Sequence, residues 1–194
     1  IRKVMGAGVS QILATLSGML FPVLYGGSEA GAVAYNIALR EVASGCASTA
    51  VGMAVTSMVG ETIWRFGDEE QRRKYLPGLA SGSIGAGAFA LTEPSAGSDA
   101  GSLKTFAEED GDTYVLSGSK SFITNGTHAG VTIVLAVTQK EPRQITAFIV
   151  ERGTPGFAAG RPERKLGLKG SDTATLSFDE CRIPMRNRLG APGE

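Results

Sequence analysis

Apolar residues recur at helical spacing through the first eighty residues of the chain and at alternating positions in much of the remainder. In AVAYNIALREVASG, Tyr35, Leu39 and Val42 belong to one stripe, and AVGMAVTSMVGETIWRFG continues the same period. The segment DEEQRRKYLP adds an N-cap candidate, Asp68, and a proline, Pro77. These patterns predict helices, the last of them a short helix that stops at Pro77.

The start of the sequence is also apolar, and IRKVMGAGVSQILATLSGML resembles a signal peptide in outline. Polar residues interrupt it, however, and Ile12, Leu13, Leu16 and Leu20 recur at the spacing of a one-sided helix that ends at Pro22. We therefore interpret it as a helix of a soluble protein. No other stretch approaches a membrane span, and we expect no membrane association.

Near residues 81–83 the period changes from helical to alternating. The segment KTFAEEDGDTYVLSGSK surrounds Asp110-Gly111, a dipeptide typical of tight hairpins. Further strands are predicted for VTIVLAVT, ITAFIV and TATLSFDECRIP. Short strands with no helical period between them indicate a small antiparallel barrel or sandwich. We predict an α+β chain with a helical domain at 1–82 and a β-domain at 83–194.

The charge balance excludes one class of partner. Nineteen basic and nineteen acidic residues are scattered over 194 positions, without the basic stripe that binds phosphate backbones, so we expect no nucleic-acid partner. Cys46 and Cys181 lie far apart without a CxxC pattern. This cysteine usage fits a reducing compartment, the cytoplasm or an organelle matrix.

Several familiar catalytic motifs do not occur. No GxGxxG follows a predicted strand and there is no GxxxxGK[ST], which disfavours a nicotinamide-type Rossmann site and a P-loop. His128 is the only histidine, and without a GxSxG elbow we interpret it as a polar loop residue rather than part of a hydrolase triad. We predict no metal site, because the ligand set is missing.

The stretch ALTEPSAGSD differs from an ordinary strand end. Pro94 prevents normal strand pairing and forces a turn. Thr92 offers a hydroxyl and an amide, and residues 95–98 present consecutive amides with little side-chain bulk, which suits a polar or anionic ligand.

A second stretch, SFITN, has complementary chemistry. Phe122 supplies an aromatic face beside the hydroxyl and amide of Thr124, and Asn125-Gly126 turns the chain away. Either stretch alone suits an ordinary turn. Because two such stretches flank one hairpin, they favour a site for a flat heteroaromatic ligand with a phosphate tail.

These residues carry a resemblance to a known family. FALTEPSAGSDAGSLKTFAEEDGDTYVLSGSKSFITNG looks like the flavin-binding middle domain of the acyl-CoA dehydrogenases, and KLGLKGSDTATLSFDECRIP is similar to that domain's closing strands. YGGS, ALREVAS with CASTA, and FGDEEQRRKYLPGLASG resemble the family's N-terminal helical domain. The resemblance runs from about Tyr25 to the end, and it implies an antiparallel β-barrel that holds FAD.

The resemblance also assigns cofactor contacts residue by residue. Phe89, Leu91 and Thr92 would line the isoalloxazine through backbone amides and the Thr92 hydroxyl. The other side of the isoalloxazine, near the flavin N5, would be covered by Phe122, Ile123 and Thr124. Phe122 stands at a position where the family often has Trp. Gly97 and Ser98 would lie where the pyrophosphate meets the substrate, and Ser98 would also touch the coenzyme A arm.

The implied reaction is α,β-dehydrogenation of an acyl-CoA thioester to the trans-2-enoyl-CoA, with electrons passed to an electron-transfer flavoprotein. In the family the base is a glutamate of a C-terminal helical domain that this sequence does not contain. We therefore assign no catalytic residue and expect this chain alone not to turn over. Glu93 adjoins the cofactor loop, but we interpret it as a turn carboxylate that accepts hydrogen bonds from nearby amides.

Two other functions stay open: a flavin monooxygenase or oxidase of the same fold, and a noncatalytic module that has lost its flavin. The resemblance further implies fatty-acid β-oxidation, a homodimer or homotetramer, and a location in the bacterial cytoplasm or the mitochondrial matrix. Acyl chain length depends on a pocket between helices that the sequence does not reveal.

Overall fold

The structure, a computed structural model, describes residues 16–193. It contains two compact units: one extends to Gly87 and includes Lys165–Ser171, and the other comprises Ala88–Arg164 and the chain from Asp172 onward. The predicted first helix begins outside the described residues. Its described end is a 3-10 turn at Gly18–Leu20, after which Phe21 is extended, as expected for a residue before proline.

The first unit is built around a long helix, α1 (Gly31–Phe66), that joins the two predicted apolar stripes. Its backbone leaves helical geometry at Cys46, with φ −156° and ψ 98°, so a kink separates the stripes. Buried positions such as Val59 and Ile63 lie beyond the kink, whereas Val33 before it is 76% exposed.

Contrary to the expectation from sequence, α1 is long and apolar enough to cross a bilayer, with a mean hydropathy of 1.4 over 18 residues. The stretch was not recognised because Gly, Ser and Thr interrupt its valines, alanines and methionines, so the sequence shows no continuous apolar run. Core helices of water-soluble proteins meet the same criterion, so the feature alone is a weak indication of a span.

The second helix, α2 (Glu69–Ser81), begins as predicted but ends later. Asp68 accepts a hydrogen bond from the Gln71 amide at 2.8 Å, and Gln71 Oε1 accepts one from the Asp68 amide at 2.9 Å, which completes a capping box. Pro77 was wrongly predicted to stop the helix: it lies inside it. The last turn is stabilised by buried Leu79 and closed by Gly82, whose φ is 75°.

A short segment before α1 packs onto both helices. The ring of Phe21 lies directly on Gly60 of α1, where an added Cβ would come within 2.6 Å of ring atom Cε1. Tyr25 donates a hydrogen bond to Glu69 Oε2 at 2.6 Å, at the start of α2. The helical unit therefore has its own packed core.

The second unit is formed by a sheet. Strands lie at all of the predicted alternating segments, and two further short strands, at 157–159 and 188–189, were not predicted. The eight strands are β1 (Ala86–Ala90), β2 (Phe106–Asp110), β3 (Thr113–Thr124), β4 (Ala129–Lys140), β5 (Arg143–Glu151), β6 (Phe157–Ala159), β7 (Thr173–Pro184) and β8 (Arg188–Leu189). Further 3-10 turns lie at Val23–Tyr25, Ala100–Ser102 and Met185–Asn187.

The sheet has the order β6-β7-β3-β2-β4-β5-β8, and β1 pairs with β4. The β2–β4 pair is parallel, whereas β2–β3, β3–β7, β4–β5, β5–β8 and β6–β7 are antiparallel. The α+β class and the mostly antiparallel β-domain are thus confirmed. The sheet differs from a barrel in that it does not close.

The β2–β3 hairpin has the predicted position. Asp110 pairs with Thr113, and Gly111 takes a φ of 63°, the left-handed backbone that favours glycine. The core of the unit gathers side chains from several strands, and the rings of Tyr114 and Phe148 lie 4.8 Å apart. This packing supports the loops at the far end of β3.

Candidate functional site

The loop after β1 makes the turn that Pro94 predicted. The Glu93 amide donates to the Ala96 carbonyl at 2.9 Å and the Ala96 amide donates back at 3.1 Å, which places Pro94 and Ser95 in a two-residue turn. Ala96 is buried beside Leu103. The expectation of four consecutive free amides at 95–98 is therefore wrong at Ala96, whose N–H closes the turn.

The C-terminal end of β3 is irregular. Its register with β7 shifts between Lys120 and Ile123, and Phe122 in the bulge has a φ of 59°. The Ile123 side chain is 3% exposed and belongs to the core, so only its backbone remains for a ligand, whereas the Phe122 ring is 67% exposed. A bulky residue in left-handed backbone with its ring in solvent is a feature typical of functional sites.

Backbone and side-chain hydrogen bonds join these two segments. The Ser121 amide donates to the Thr92 carbonyl at 2.8 Å, and Lys120 Nζ donates to the Leu91 carbonyl at 3.1 Å. The loop after β1 and the bulge of β3 are thus direct neighbours, as the prediction of one shared site requires.

A buried ion pair lies behind this junction. Lys120 Nζ is 2.8 Å from Glu93 Oε1, and the two side chains are 0% and 4% exposed. Glu93 also accepts hydrogen bonds from the Lys104 amide at 2.6 Å and the Thr105 amide at 2.9 Å. Glu93 does bond backbone amides, as predicted, but those amides are eleven and twelve residues away and the lysine partner was not foreseen.

The ion pair determines the charge of Glu93. Burial alone raises the pKa of this carboxyl, but the Lys120 ammonium and the amides of Lys104 and Thr105 outweigh it and lower the pKa to about 2. Burial lowers the pKa of Lys120, and Glu93 opposes that shift. Glu93 is therefore ionised at neutral pH and held by donors, which is unsuitable for a proton acceptor in catalysis.

The segment after β3 is fixed by a residue that sequence reasoning missed. Asp172 accepts from the Asn125 amide through its carbonyl at 3.0 Å and from the Thr127 amide through Oδ2 at 2.6 Å. Asn125, like Phe122, has a positive φ, 62°. The aspartate in GSDTA gave no local signal, because its role depends on a partner 45 residues away.

The loop retains hydrogen-bond donors for a ligand. Within residues 16–193, the amides of Leu91, Thr92, Gly97 and Ser98 have no acceptor, and Gly97 and Ser98 are exposed. Phe89 is half-buried in β1, and Thr124 is half-buried at the end of β3. Backbone donors beside an exposed aromatic ring fit the chemistry of a flavin, whose ring edge carries acceptors and whose face is flat.

The other predicted residues add no second site. His128 is exposed, Cys46 is an exposed free thiol and Cys181 a buried one. The described part of the chain holds no cluster of three histidine, cysteine, aspartate or glutamate residues able to bind a metal ion.

Comparison with protein families identifies both halves of the chain. The N-terminal domain of acyl-CoA dehydrogenase matches residues 13–83, and the middle domain of acyl-CoA dehydrogenase matches residues 88–181. Among relatives, an acyl-CoA dehydrogenase of Bacillus subtilis is 48% identical over 92% of this chain. The human short-chain specific acyl-CoA dehydrogenase, a mitochondrial protein, is 43% identical over 92% of the chain. The chain spans 48% and 44% of these two relatives.

Solved structures agree with this result. A chain in the structure of the electron transferring flavoprotein of Acidaminococcus fermentans superimposes with a TM-score of 0.93 at 39% identity, over 98% of this chain and 51% of that one. An acyl-CoA dehydrogenase from Bacillus anthracis, complexed with FAD, gives 0.89 at 35% identity over 96% and 32%. The prolyl acyl carrier protein oxidase AnaB gives 0.91 at 34% identity over 99% and 52%.

Two consecutive domain matches, close relatives and a shared fold lead to one conclusion. The chain belongs to the acyl-CoA dehydrogenase family.

Proposed function

We propose that the full-length protein is an FAD-dependent dehydrogenase that converts an acyl-CoA thioester to the trans-2-enoyl-CoA. The observation that carries this proposal is the hydrogen bond from the Ser121 amide to the Thr92 carbonyl, which joins the loop after β1 to the residue preceding the exposed Phe122. The family membership supports the choice of FAD as the ligand of these donors.

Each residue has a role in binding that cofactor. The Leu91 and Thr92 amides and the Thr92 hydroxyl would donate to the polar edge of the ring system, and Phe89 would line it. Phe122, with the backbone of Ile123 and Thr124, would cover the other side of the ring system. Fixed main-chain donors stabilise developing negative charge without reorganising. Bound FAD would supply the hydride acceptor for the dehydrogenation.

The exposed part of the loop would bind the more polar components. Gly97 carries no side chain, so its amide is open to close approach by a pyrophosphate. Ser98 adds a hydroxyl and would contact both the cofactor and the coenzyme A arm of the substrate. Both residues are exposed and have free amides within the described chain, which supports these roles.

The names of the relatives support a finer proposal. A short-chain acyl-CoA is the proposed substrate class and an electron-transfer flavoprotein the proposed electron acceptor. We further propose a homodimer or homotetramer in the cytoplasm or mitochondrial matrix, in keeping with the bacterial and mitochondrial relatives.

Flavin binding is the first test. The purified full-length protein should show a flavin absorption spectrum and release FAD on denaturation, and it should convert butyryl-CoA faster than a long-chain acyl-CoA with an electron-transfer flavoprotein as acceptor. Thr92→Val removes one donor and should weaken FAD binding. Thr113→Val, at the opposite end of β3, removes a hydroxyl that bonds Asp110 and should leave FAD binding unchanged. A colourless protein that does not take up FAD would contradict the proposal and favour a noncatalytic module.

The structural similarity to AnaB supports an oxidase as the second candidate. The two functions differ in the electron acceptor, because an oxidase passes electrons to oxygen. Turnover should be equal in the presence and absence of oxygen when an electron-transfer flavoprotein is supplied. Turnover that requires oxygen and releases hydrogen peroxide would identify the oxidase instead.

A further inference from the structure

The Glu93–Lys120 pair connects three backbone segments at one point: the loop after β1, the strand β3 and the segment before β2. Glu93 comes from the loop after β1 and Lys120 from β3; the carboxylate binds the amides of Lys104 and Thr105, which precede β2, and the ammonium binds the Leu91 carbonyl.

We infer that the buried Glu93–Lys120 pair is a positioning element for the flavin, which holds the Leu91–Thr92 backbone against β3 so that its free amides face a fixed ligand. This inference rests on the proposed function. It assigns a role to two residues that themselves have no contact with the proposed ligand, since both side chains are almost completely buried.

The chemistry of the contacts supports a role in orientation. Lys120 Nζ donates a hydrogen bond to the Leu91 carbonyl, and the Ser121 amide donates one to the Thr92 carbonyl. Two consecutive carbonyls of the loop are therefore bound to β3, while the amides of the same two residues stay free. Positioning of this kind requires that the supporting groups be locked by their own hydrogen bonds. Glu93 meets that condition, because three donors hold it.

The charge of the pair also matters for the cost of losing one partner. Removal of Lys120 leaves a buried carboxylate without its counter-ion and the Leu91 carbonyl without its donor, so the loop loses the contacts that hold it against β3 and can shift. A loop displacement of about 1 Å at a reacting centre reduces rates by about 100-fold. The effect should therefore reach the flavin and not only the stability of the fold.

The test compares FAD binding in three variants of the full-length protein. Lys120→Met removes the charge at similar side-chain length. The double variant Glu93→Gln with Lys120→Met removes both charges and leaves no unpaired ion, which protects the fold. Arg182→Met is the matched control, because Arg182 and Asp110 form an exposed ion pair of nearly equal length, 2.7 Å, in the same sheet.

The measurements are the FAD dissociation constant of the apoprotein, by quenching of flavin fluorescence, and the absorption bands of bound flavin. We expect a rise of about 10- to 100-fold in the dissociation constant, by analogy with residues that orient metal ligands, and shifted flavin bands for Lys120→Met. The double variant also lacks the donor to the Leu91 carbonyl, so it should show the same two changes at near-normal thermal stability. Arg182→Met should show neither.

The outcomes separate the inference from the proposed function. Wild-type protein that binds no FAD overturns the proposed function and this inference with it. Wild-type protein that binds FAD, together with a folded double variant of unchanged affinity and unchanged flavin bands, overturns the inference alone. If Lys120→Met does not fold, the double variant decides in the same way.

Discussion

The two ends of β3 have ion pairs of nearly the same length and very different surroundings. At the hairpin end, Arg182 and Asp110 are 2.7 Å apart with side chains 58% and 57% exposed. At the loop end, Lys120 and Glu93 are 2.8 Å apart and almost fully buried. Distance alone would rank them as equals, whereas burial makes one a surface contact and the other a part of the fold.

The backbone geometry also differs between the two ends of β3. Next to the hairpin, β2 and β3 pair in regular register and the positive φ is carried by Gly111. At the loop end the register shifts, and Phe122 and Asn125 adopt left-handed backbone that glycine would adopt at lower cost. Strain and buried charge therefore occur at the end where we place the cofactor, as expected for a functional site.

The largest expected difference between the two ends is the cost of removing one cation. Lys120→Met should lower the free energy of unfolding by about 3–5 kcal/mol, because it strands a buried carboxylate. Arg182→Met should cost less than about 1 kcal/mol, because both partners are solvated. Urea unfolding of the two variants measures the difference, and similar losses would show that burial does not distinguish the pairs.

Lowering the pH should remove the stability that Glu93 contributes at the loop end of β3. The pKa of Glu93 in the folded protein is about 2, below the ordinary value of 4.5. Between pH 2 and pH 4.5 the unfolded chain therefore binds more protons at this carboxyl than the folded chain does. Its contribution to stability, about 3 kcal/mol, is thus present above pH 4.5 and is lost as the pH falls toward 2.

The matched variant for this prediction is Glu93→Gln, which has no carboxyl to titrate. The gap in unfolding free energy between wild type and Glu93→Gln should be largest above pH 5 and should close by pH 2. A gap that stays constant over this range would mean that Glu93 has an ordinary pKa in the folded protein.

Two glycines test how tightly β3 is packed along its length. Gly118 has a φ of 146°, and a Cβ there would lie 2.8 Å from the Thr105 Cα. Gly111 has a φ of 63°, and a Cβ there meets no atom within 4 Å. Gly118→Ala should therefore cost about 1–3 kcal/mol of overpacking beyond any backbone strain, whereas Gly111→Ala should cost only the strain, about 1 kcal/mol. Equal losses in thermal unfolding would contradict this ranking.

The predictable part of the molecule follows from local pattern. The alternation in TATLSFDECRIP predicts β7, and Asp68 predicts the start of α2, because each signal lies within the element that it forms. The end of α2 was not predictable in this way: Pro77 is a local stop signal, and burial of Leu79 in the tertiary structure overrides it.

The site was predictable in its exposed parts and not in its support. Thr92 and Phe122 belong to short stretches that can be recognised in the sequence. Lys120 would be predicted to lie at the surface, because lysine is rarely buried. Its pairing with Glu93 spans 27 positions, and no local pattern reveals such a contact. Closure of the sheet was likewise beyond the strand pattern, because closure depends on how the edge strands meet.

The smallest expected effect concerns salt. Raising the ionic strength from 0.1 M to 1 M shortens the screening length from about 10 Å to about 3 Å. The exposed Asp110–Arg182 pair should then lose most of its contribution, less than about 1 kcal/mol, while the Glu93–Lys120 pair, shielded from ions, should lose almost none. The stability difference between wild type and Arg182→Met should therefore shrink with salt, and that between wild type and Lys120→Met should persist. Parallel changes in both differences would mean that solvent and ions reach the loop end of β3, and the buried pair would then be too solvated to hold the loop in place.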